Sequence, residues 1–283
     1  MNSRKGQVTI FIILGILIVA GVVFVIVING GTDFFKNIFS KEASYPPKVQ
    51  NVKDAVQNCI DESLKRVIEI NSLQGGYYFA PSNSAYYDSN EVDGENVDYD
   101  LIRNIPFYYD RKLIVPSLQD LKDEISYGLA SEFSSCFDSE SYVDGAVDFE
   151  GVSVDPDFSR FDSEVVIKEG IVSVNVVFPV KISTGEGEGS VYELRDFDSY
   201  YDTNFYLEYA LASKISSVQN IEDNVIDLTT NSKLATDYNA QLLNEEYYED
   251  DDSFVILYNI LMEEPKNTSV EVFSFAHRLR RYG

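Results

Sequence analysis

The sequence predicts an α+β protein in which helices pack on an antiparallel β-sheet, carried behind an amino-terminal transmembrane helix. Three observations predict this architecture. An uncharged apolar run occupies residues 8–28. Two later segments repeat apolar residues every three or four positions, which is the spacing of amphipathic helices. From residue 145 onward apolar and polar residues alternate, which is typical of half-buried strands.

The apolar run has the length of a membrane span. About 21 residues at a rise of 1.5 Å cover roughly 30 Å, the thickness of a bilayer's hydrocarbon core. Arg4 and Lys5 precede the run with no acid among them. The positive-inside rule therefore predicts a cytoplasmic amino terminus and a carboxy-terminal domain outside the cell membrane. The expected parts are a basic leader with the transmembrane helix (1–28), a juxtamembrane linker (29–47) and an extracytoplasmic α+β domain (48–283).

The tripeptide Lys5-Gly6-Gln7 lies directly before the apolar run. With this placement, the segment resembles the leader of archaeal type IV pilins and related membrane-anchored surface proteins. The resemblance covers the first 28 residues and implies that a prepilin peptidase cuts between Gly6 and Gln7. Two features differ from a polymerising pilin. Phe11 stands where pilins commonly carry Glu, and Asn29-Gly30-Gly31 ends the helix.

Two amphipathic helices are predicted in the extracytoplasmic domain. The first runs from Pro47 to Leu73, with proline at its start and Gly75-Gly76 just past its end. The second runs from Ser117 to Phe137, with Ser117 as its expected N-cap. Between the helices we expect a long loop with short strands near residues 76–79 and 105–109.

The only two cysteines, Cys59 and Cys136, lie on the apolar stripes of these two helices. If the helices pack face to face, a disulfide can join them, and an extracytoplasmic location permits it. The residues leave open two unlinked buried thiols, or a metal or catalytic role. Two cysteines and one distant histidine make a poor zinc site, however.

The second half of the chain predicts an antiparallel meander followed by a helix and a hairpin. Glu169-Gly170 is a tight-turn sequence between two alternating runs. The predicted elements are strands 163–168, 171–183 and 190–197, a helix 203–217, and a hairpin of strands 254–262 and 270–278. Residues 220–250 give an ambiguous pattern, and the acidic stretch 245–252 is expected to be a solvated loop.

The net charge of −25 and the pI near 4.2 exclude a nucleic-acid-binding role, because nucleic-acid binders present a basic face. Catalysis is also not predicted. His277 is the only histidine, and we expect it to point out of a terminal strand. The chain contains no nucleophile elbow, phosphate loop or metalloprotease motif. We therefore expect no enzyme.

Two further sites are suggested by local sequence. Residues 89–100 place Glu91, Asp93, Glu95 and Asp100 in partial agreement with an EF-hand loop, which would bind Ca²⁺. A solvated acidic loop without a ligand is the alternative, since the first and eighth positions do not match. Asn267-Thr268-Ser269 is an N-glycosylation acceptor pattern in a predicted turn.

Together these features predict a non-enzymatic, single-pass surface protein. It would contact the lipid bilayer through residues 8–28 and bind a protein partner or another copy of itself. One alternative is a pilin-like subunit processed after Gly6 and assembled through its apolar helix. Another is a membrane-tethered solute-binding domain or enzyme, which a deep pocket lined by convergent carboxylates would favour.

Overall fold

A computed structural model describes the chain in eight stretches: residues 45–79, 106–109, 112–138, 152–185, 189–219, 227–250, 253–266 and 269–280. The chain divides into two compact units, residues 1–46 and residues 47–283. The predicted transmembrane helix and the Gly6–Gln7 processing site belong to the first unit and lie outside the described residues. Within the eight stretches, none of the helices has the length and apolarity needed to cross a membrane.

The second unit is α+β, as predicted. Its described helices are α1 (Pro47–Leu73), α2 (Leu118–Asp138), α3 (Phe205–Ser217) and α4 (Leu228–Asp237), with one 3₁₀ turn at Phe158–Arg160. Its described strands are β1 (Pro106–Tyr109), β2 (Lys112–Leu113), β3 (Val152–Pro156), β4 (Asp162–Lys168), β5 (Ile171–Thr184), β6 (Ser190–Asp202), β7 (Gln241–Asp250), β8 (Ser253–Glu263) and β9 (Val270–Arg280).

The strands form two sheets rather than the one antiparallel sheet that was predicted. The first has the order β2-β1-β9-β8-β7, and its β1–β9 pair is parallel while the others are antiparallel. In the second, the long strand β5 pairs with β6 and also with β3 and β4, all antiparallel. The parallel pair arises because β1, which comes early in the chain, lies beside the last strand.

Helix α1 has the predicted bounds and supplies one wall of the core. It packs against α2, β6 and β9. Its apolar residues recur every three or four positions, so one face is buried; this face includes Val49, Val52, Val56, Cys59, Ile60, Leu64 and Val67. Ile70, at the last turn of the helix, is only half-buried, because the inward face there is formed by Ile68 and Asn71.

Helix α2 begins one residue later than predicted, after a reciprocal cap. The Ser117 hydroxyl accepts from the Asp120 N–H at 3.2 Å, and the Asp120 carboxylate accepts from the Ser117 N–H at 2.7 Å. This confirms Ser117 as the N-cap and forms a capping box. The predicted strand at 76–79 is wrong: these residues turn toward α2, where the Tyr78 and Phe79 N–H groups donate to the Glu124 carboxylate.

The cysteines of the two helices meet. Their Cα atoms are 5.9 Å apart, and the pair lies at disulfide distance. Cys59 is fully buried and Cys136 is half-buried, so the pair lies at the edge of the α1–α2 contact. The expectation that two facing helices bring these residues together is confirmed.

The predicted β elements are largely confirmed, with differences in extent. Strands β4 and β5 flank the turn at Gly170, whose φ of +78° favours glycine. Strand β6 continues to Asp202, five residues beyond its predicted end, because it pairs with β5 along its whole length. The final hairpin, β8–β9, is confirmed. The expected solvated loop at 245–252 is wrong, since β7 extends to Asp250 and pairs with β8.

Candidate functional site

A pocket of about 260 Å³ opens where the carboxy-terminal end of α1 meets the end of β6 and the β8–β9 hairpin. Three polypeptide segments therefore supply its walls. The residues that line it are Ile68, Glu69, Ser72, Leu73, Tyr201, Thr203, Glu264, Val270, Glu271 and Val272. The wall is mixed: aliphatic side chains alternate with hydroxyl and carboxyl groups.

The charge of the pocket is negative. Its three carboxylates, Glu69, Glu264 and Glu271, come from α1, the hairpin turn and β9. Burial, followed by the negative charges of Glu264, Glu69 and Glu271, raises the pKa of Tyr201 to about 12. The negative charges of all three carboxylates therefore reach the hydroxyl group of Tyr201. Among the described residues that line the pocket, none is lysine or arginine.

Glu271 is the most firmly positioned of the three. Its carboxylate accepts from the Asn204 N–H at 2.7 Å and from the Thr203 hydroxyl. Asn204 is itself held by a bond from its side-chain amide to the Glu263 carbonyl at 2.6 Å. Burial raises the pKa of Glu271 although the hydrogen bonds from Thr203 and Asn204 oppose the rise. The segment before α3 therefore fixes this carboxylate in a partly desolvated position.

Another carboxyl group, that of Glu208 on the first turn of α3, lies outside the pocket lining but within electrostatic reach of Glu271. Its side chain is fully buried, and within the described part of the chain neither of its carboxyl oxygens has a hydrogen-bond partner. Burial and, secondarily, the charge of Glu271 raise the pKa of Glu208 to about 9. At neutral pH this group is therefore protonated and uncharged.

Two lysines of the chain lie close to the pocket but pair at its margin. Lys65 is 3.7 Å from Glu69 in an exposed pair one helical turn apart. Lys266 is 2.6 Å from Asp202, again with the lysine mostly exposed. Exposed pairs of this kind contribute about 0–1 kcal/mol, so they neutralise the pocket only weakly.

His277 does not point outward, and this prediction is wrong. It is fully buried, because β9 is a central strand flanked by β1 and β8 rather than an edge. The rings of Tyr108, Tyr258 and Phe275 surround it, with centroids 4.8–5.9 Å away. This desolvation lowers the pKa of His277 to about 3, so the imidazole is neutral.

The contact between His277 and Ser216 is a structural hydrogen bond. Ser216 Oγ lies 2.8 Å from Nε2 and also donates to the Ala212 carbonyl at 2.9 Å. The pair is thus a buried hydrogen bond that ties β9 to α3, and Nε2 is the imidazole nitrogen that takes part in it.

The other predicted site residues fall outside the structure's description. The Ca²⁺ candidates Glu91, Asp93, Glu95 and Asp100 belong to residues 80–105, and the glycosylation candidate Asn267 belongs to residues 267–268. Where the chain is described, no group of three or more His, Cys, Asp or Glu side chains is arranged to hold a metal ion.

Sequence reasoning missed the pocket. Glu69 lies about two hundred residues before Glu264 and Glu271, and the three carboxylates carry no motif. One signal was present: Glu208 recurs with Leu211, Ala212 and Ile215 at helical spacing, which puts a carboxyl group on the buried face of α3. No family model matches the chain, and no curated protein or solved structure matches it either.

Proposed function

We propose that the protein is a single-pass, membrane-anchored surface protein whose extracytoplasmic α+β domain has a non-enzymatic binding role. The observation that carries the proposal is the uncharged run of residues 8–28 behind Arg4 and Lys5. No soluble helix of this length needs to be apolar on every face, whereas a membrane span does. The orientation follows from the basic residues on its amino-terminal side.

Two features of the domain support this location and role. The Cys59–Cys136 pair lies at disulfide distance, and disulfides persist outside the reducing cytoplasm. The single histidine is fully buried among aromatic side chains, which supports a role in the core rather than as a general base. The negatively charged pocket is the concave feature that a binding role would use.

Membrane fractionation tests the anchor. The full chain, expressed in cells, should remain in the membrane pellet after an alkaline carbonate wash, and detergent should release it. The matched control lacks residues 8–28 and should leave the membrane fraction. Recovery of the full chain in the carbonate supernatant would refute the anchor.

A second candidate function is a pilin-like subunit, which the tripeptide Lys5-Gly6-Gln7 favours. Mass spectrometry of the protein isolated from its native membrane distinguishes the two. A mature chain that begins at Gln7 indicates prepilin-type processing, and Gly6→Leu should then block it. A chain that keeps Arg4 and Lys5 indicates a simple anchored protein.

A third candidate is a membrane-tethered solute-binding domain, which the pocket favours. Its carboxylates converge on Tyr201 from three separate segments of the chain. Such convergence of polar groups in a concave site is characteristic of ligand binding. Equilibrium dialysis of the full chain against a mixture of radiolabelled cationic and neutral metabolites tests this candidate. Selective retention of cationic solutes would support it, and equal distribution of all solutes would refute it.

A further inference from the structure

We propose that the acidic pocket receives one lysine side chain of a partner protein, with the alkyl stem on its aliphatic wall and the ammonium group among its carboxylates. This assignment rests on the binding role proposed above and is independent of how the chain is anchored. Three observations support it: the sign of the charge, the apolar wall and the volume.

The charge of the site selects a cation. Glu69, Glu264 and Glu271 all raise the pKa of Tyr201, and none of the described residues that line the pocket is lysine or arginine. Lys65 contacts Glu69 only in an exposed pair at the margin. Glu271 is also held by the Asn204 N–H, so its position does not depend on a ligand. Hydrogen bonds between an ammonium group and a carboxylate are stronger than those between neutral groups. A preorganised carboxylate in a partly desolvated wall is therefore a good acceptor for such a group.

The aliphatic wall selects a cation with a stem. Ile68, Leu73 and Val272 lie beside the carboxylates in the same pocket. A bare inorganic cation gains nothing from these groups, and the described part of the chain has no metal-ligand cluster. A lysine carries four methylene groups below its ammonium group and buries them along apolar surface. The aliphatic part of the wall therefore suits the methylene groups, and the carboxylates suit the ammonium group.

The volume limits the size of the occupant. Pockets that bury a drug-sized ligand measure about 300–1,000 Å³, whereas this one is about 260 Å³, so its occupant is smaller than such a ligand. The Glu69 side chain at its edge is about half exposed, so the pocket opens to solvent. One long side chain can therefore enter while the partner's backbone stays outside.

A titration with short peptides tests the assignment. The full chain, in nonionic detergent at low ionic strength, is titrated by calorimetry with acetyl-glycyl-lysyl-glycine amide. The matched control peptide carries norleucine, which keeps the alkyl stem and lacks the charge. We expect saturable binding of the lysine peptide, at least tenfold weaker binding of the norleucine peptide, and weakening by added salt. Absence of saturable binding by the lysine peptide, or equal binding of both peptides, would overturn the proposal.

Variants locate the binding site. Glu271→Gln should weaken the lysine peptide about tenfold, because one charge-assisted contact is lost. Glu264→Gln, at the half-buried start of the hairpin turn, should weaken it about threefold. The matched control is Glu62→Gln on the exposed face of α1, which should change nothing. An equal effect of Glu62→Gln would refute the pocket as the site.

A final experiment tests whether the pocket binds a lysine side chain of a protein or a free small amine. n-Butylamine has the same four-carbon stem and single ammonium group but no peptide backbone. Tighter binding of n-butylamine than of the lysine peptide would assign the pocket to a small amine and overturn the side-chain assignment. These binding assays test the lysine pocket and do not depend on how the chain is anchored. The carbonate wash tests the anchor and does not depend on what the pocket binds. Either proposal can therefore be refuted while the other stands.

Discussion

Replacing Glu208 by glutamine should stabilise the folded protein at neutral pH and leave its stability unchanged in mild acid. The side chain is fully buried without a hydrogen-bond partner in the described part of the chain. Glutamine has nearly the same shape as the protonated carboxyl group that the folded protein holds. In the unfolded wild-type chain the Glu208 side chain ionises at neutral pH, and this ionisation favours the unfolded state. The glutamine variant lacks it and otherwise changes the folded protein little.

The magnitude follows from the pKa of the buried group. Burial and the neighbouring Glu271 raise the pKa of Glu208 from 4.5 to about 9. Between these values the folded chain binds one more proton than the unfolded chain, so the free energy of unfolding falls by about 1.4 kcal/mol for each pH unit. Below pH 4.5 Glu208 is protonated in both states and does not reduce the free energy of unfolding. As the pH rises from 4.5 toward 9, this free energy falls. At pH 7 the loss amounts to about 3 kcal/mol, which Glu208→Gln should restore.

Urea denaturation at pH 4 and at pH 7 measures this difference. Far-UV circular dichroism follows the unfolding of the full chain in nonionic detergent, with cysteines oxidised. The free energy of unfolding of Glu208→Gln should exceed that of the wild type at pH 7 and equal it at pH 4. Glu62→Gln, on the exposed face of α1, is the control and should match the wild type at both pH values.

Two results would refute this reasoning. A stabilisation of the same size at pH 4 and pH 7 would show that ionisation is not its source. A destabilisation at pH 7 would show that the carboxyl group makes a favourable contact in its charged form. Glu271→Gln offers a partial check, since removing the neighbouring charge should lower the pKa of Glu208 and reduce the difference between the two pH values.

Three further substitutions test the fold. Cys136→Ser should destabilise by about 4 kcal/mol, because the link to Cys59 closes a loop across 77 positions; a wild type unaffected by reductant would contradict this. Ser216→Ala should cost about 1–3 kcal/mol in urea denaturation, because the buried Nε2 of His277 loses its hydrogen-bond partner. The neighbouring exposed Ser217→Ala is its control, and an equal effect of the two substitutions would contradict this prediction. Gly170→Ala should cost about 1–2 kcal/mol by thermal denaturation, through its φ of +78° alone, since an added Cβ meets no atom within 4 Å. Unchanged stability there would show that the turn relaxes to another conformation.

Elements with a strong local period were predictable. Helix α1 has its predicted bounds because its buried face recurs at helical spacing from Val49 to Val67 and its end is marked by Gly75-Gly76. The β4–β5 hairpin was likewise predictable from alternation around Gly170. In these segments the local pattern and the tertiary packing require the same structure.

Elements that depend on a distant strand were not predictable. His277 alternates with apolar residues, and the chain nearly ends there, so an outward orientation at an edge was reasonable. Its burial depends on β1, which lies in parallel beside β9 and puts Tyr108 against the imidazole. The acidic strand β7 was interpreted as a loop for a similar reason, because pairing with β8 overrides a composition unfavourable to strands.

The pocket could not be predicted from the sequence either. Glu69 is one of several acids on α1, and Glu264 and Glu271 lie on either side of a hairpin turn. They come close together only in the folded protein, where the end of α1 lies beside the β8–β9 hairpin. In a chain with 47 acidic residues, no local feature distinguishes these three.

Protease treatment of intact cells tests the central claim, that an anchored domain lies outside the membrane. Cells that produce the full chain are exposed to proteinase K, and the domain is followed by an antibody against its carboxy-terminal half, with a cytoplasmic protein as the control for lysis. The account predicts that the domain disappears from the cell pellet while the cytoplasmic protein is retained. A domain that remains intact until the cells are lysed, and is digested only then, would contradict it.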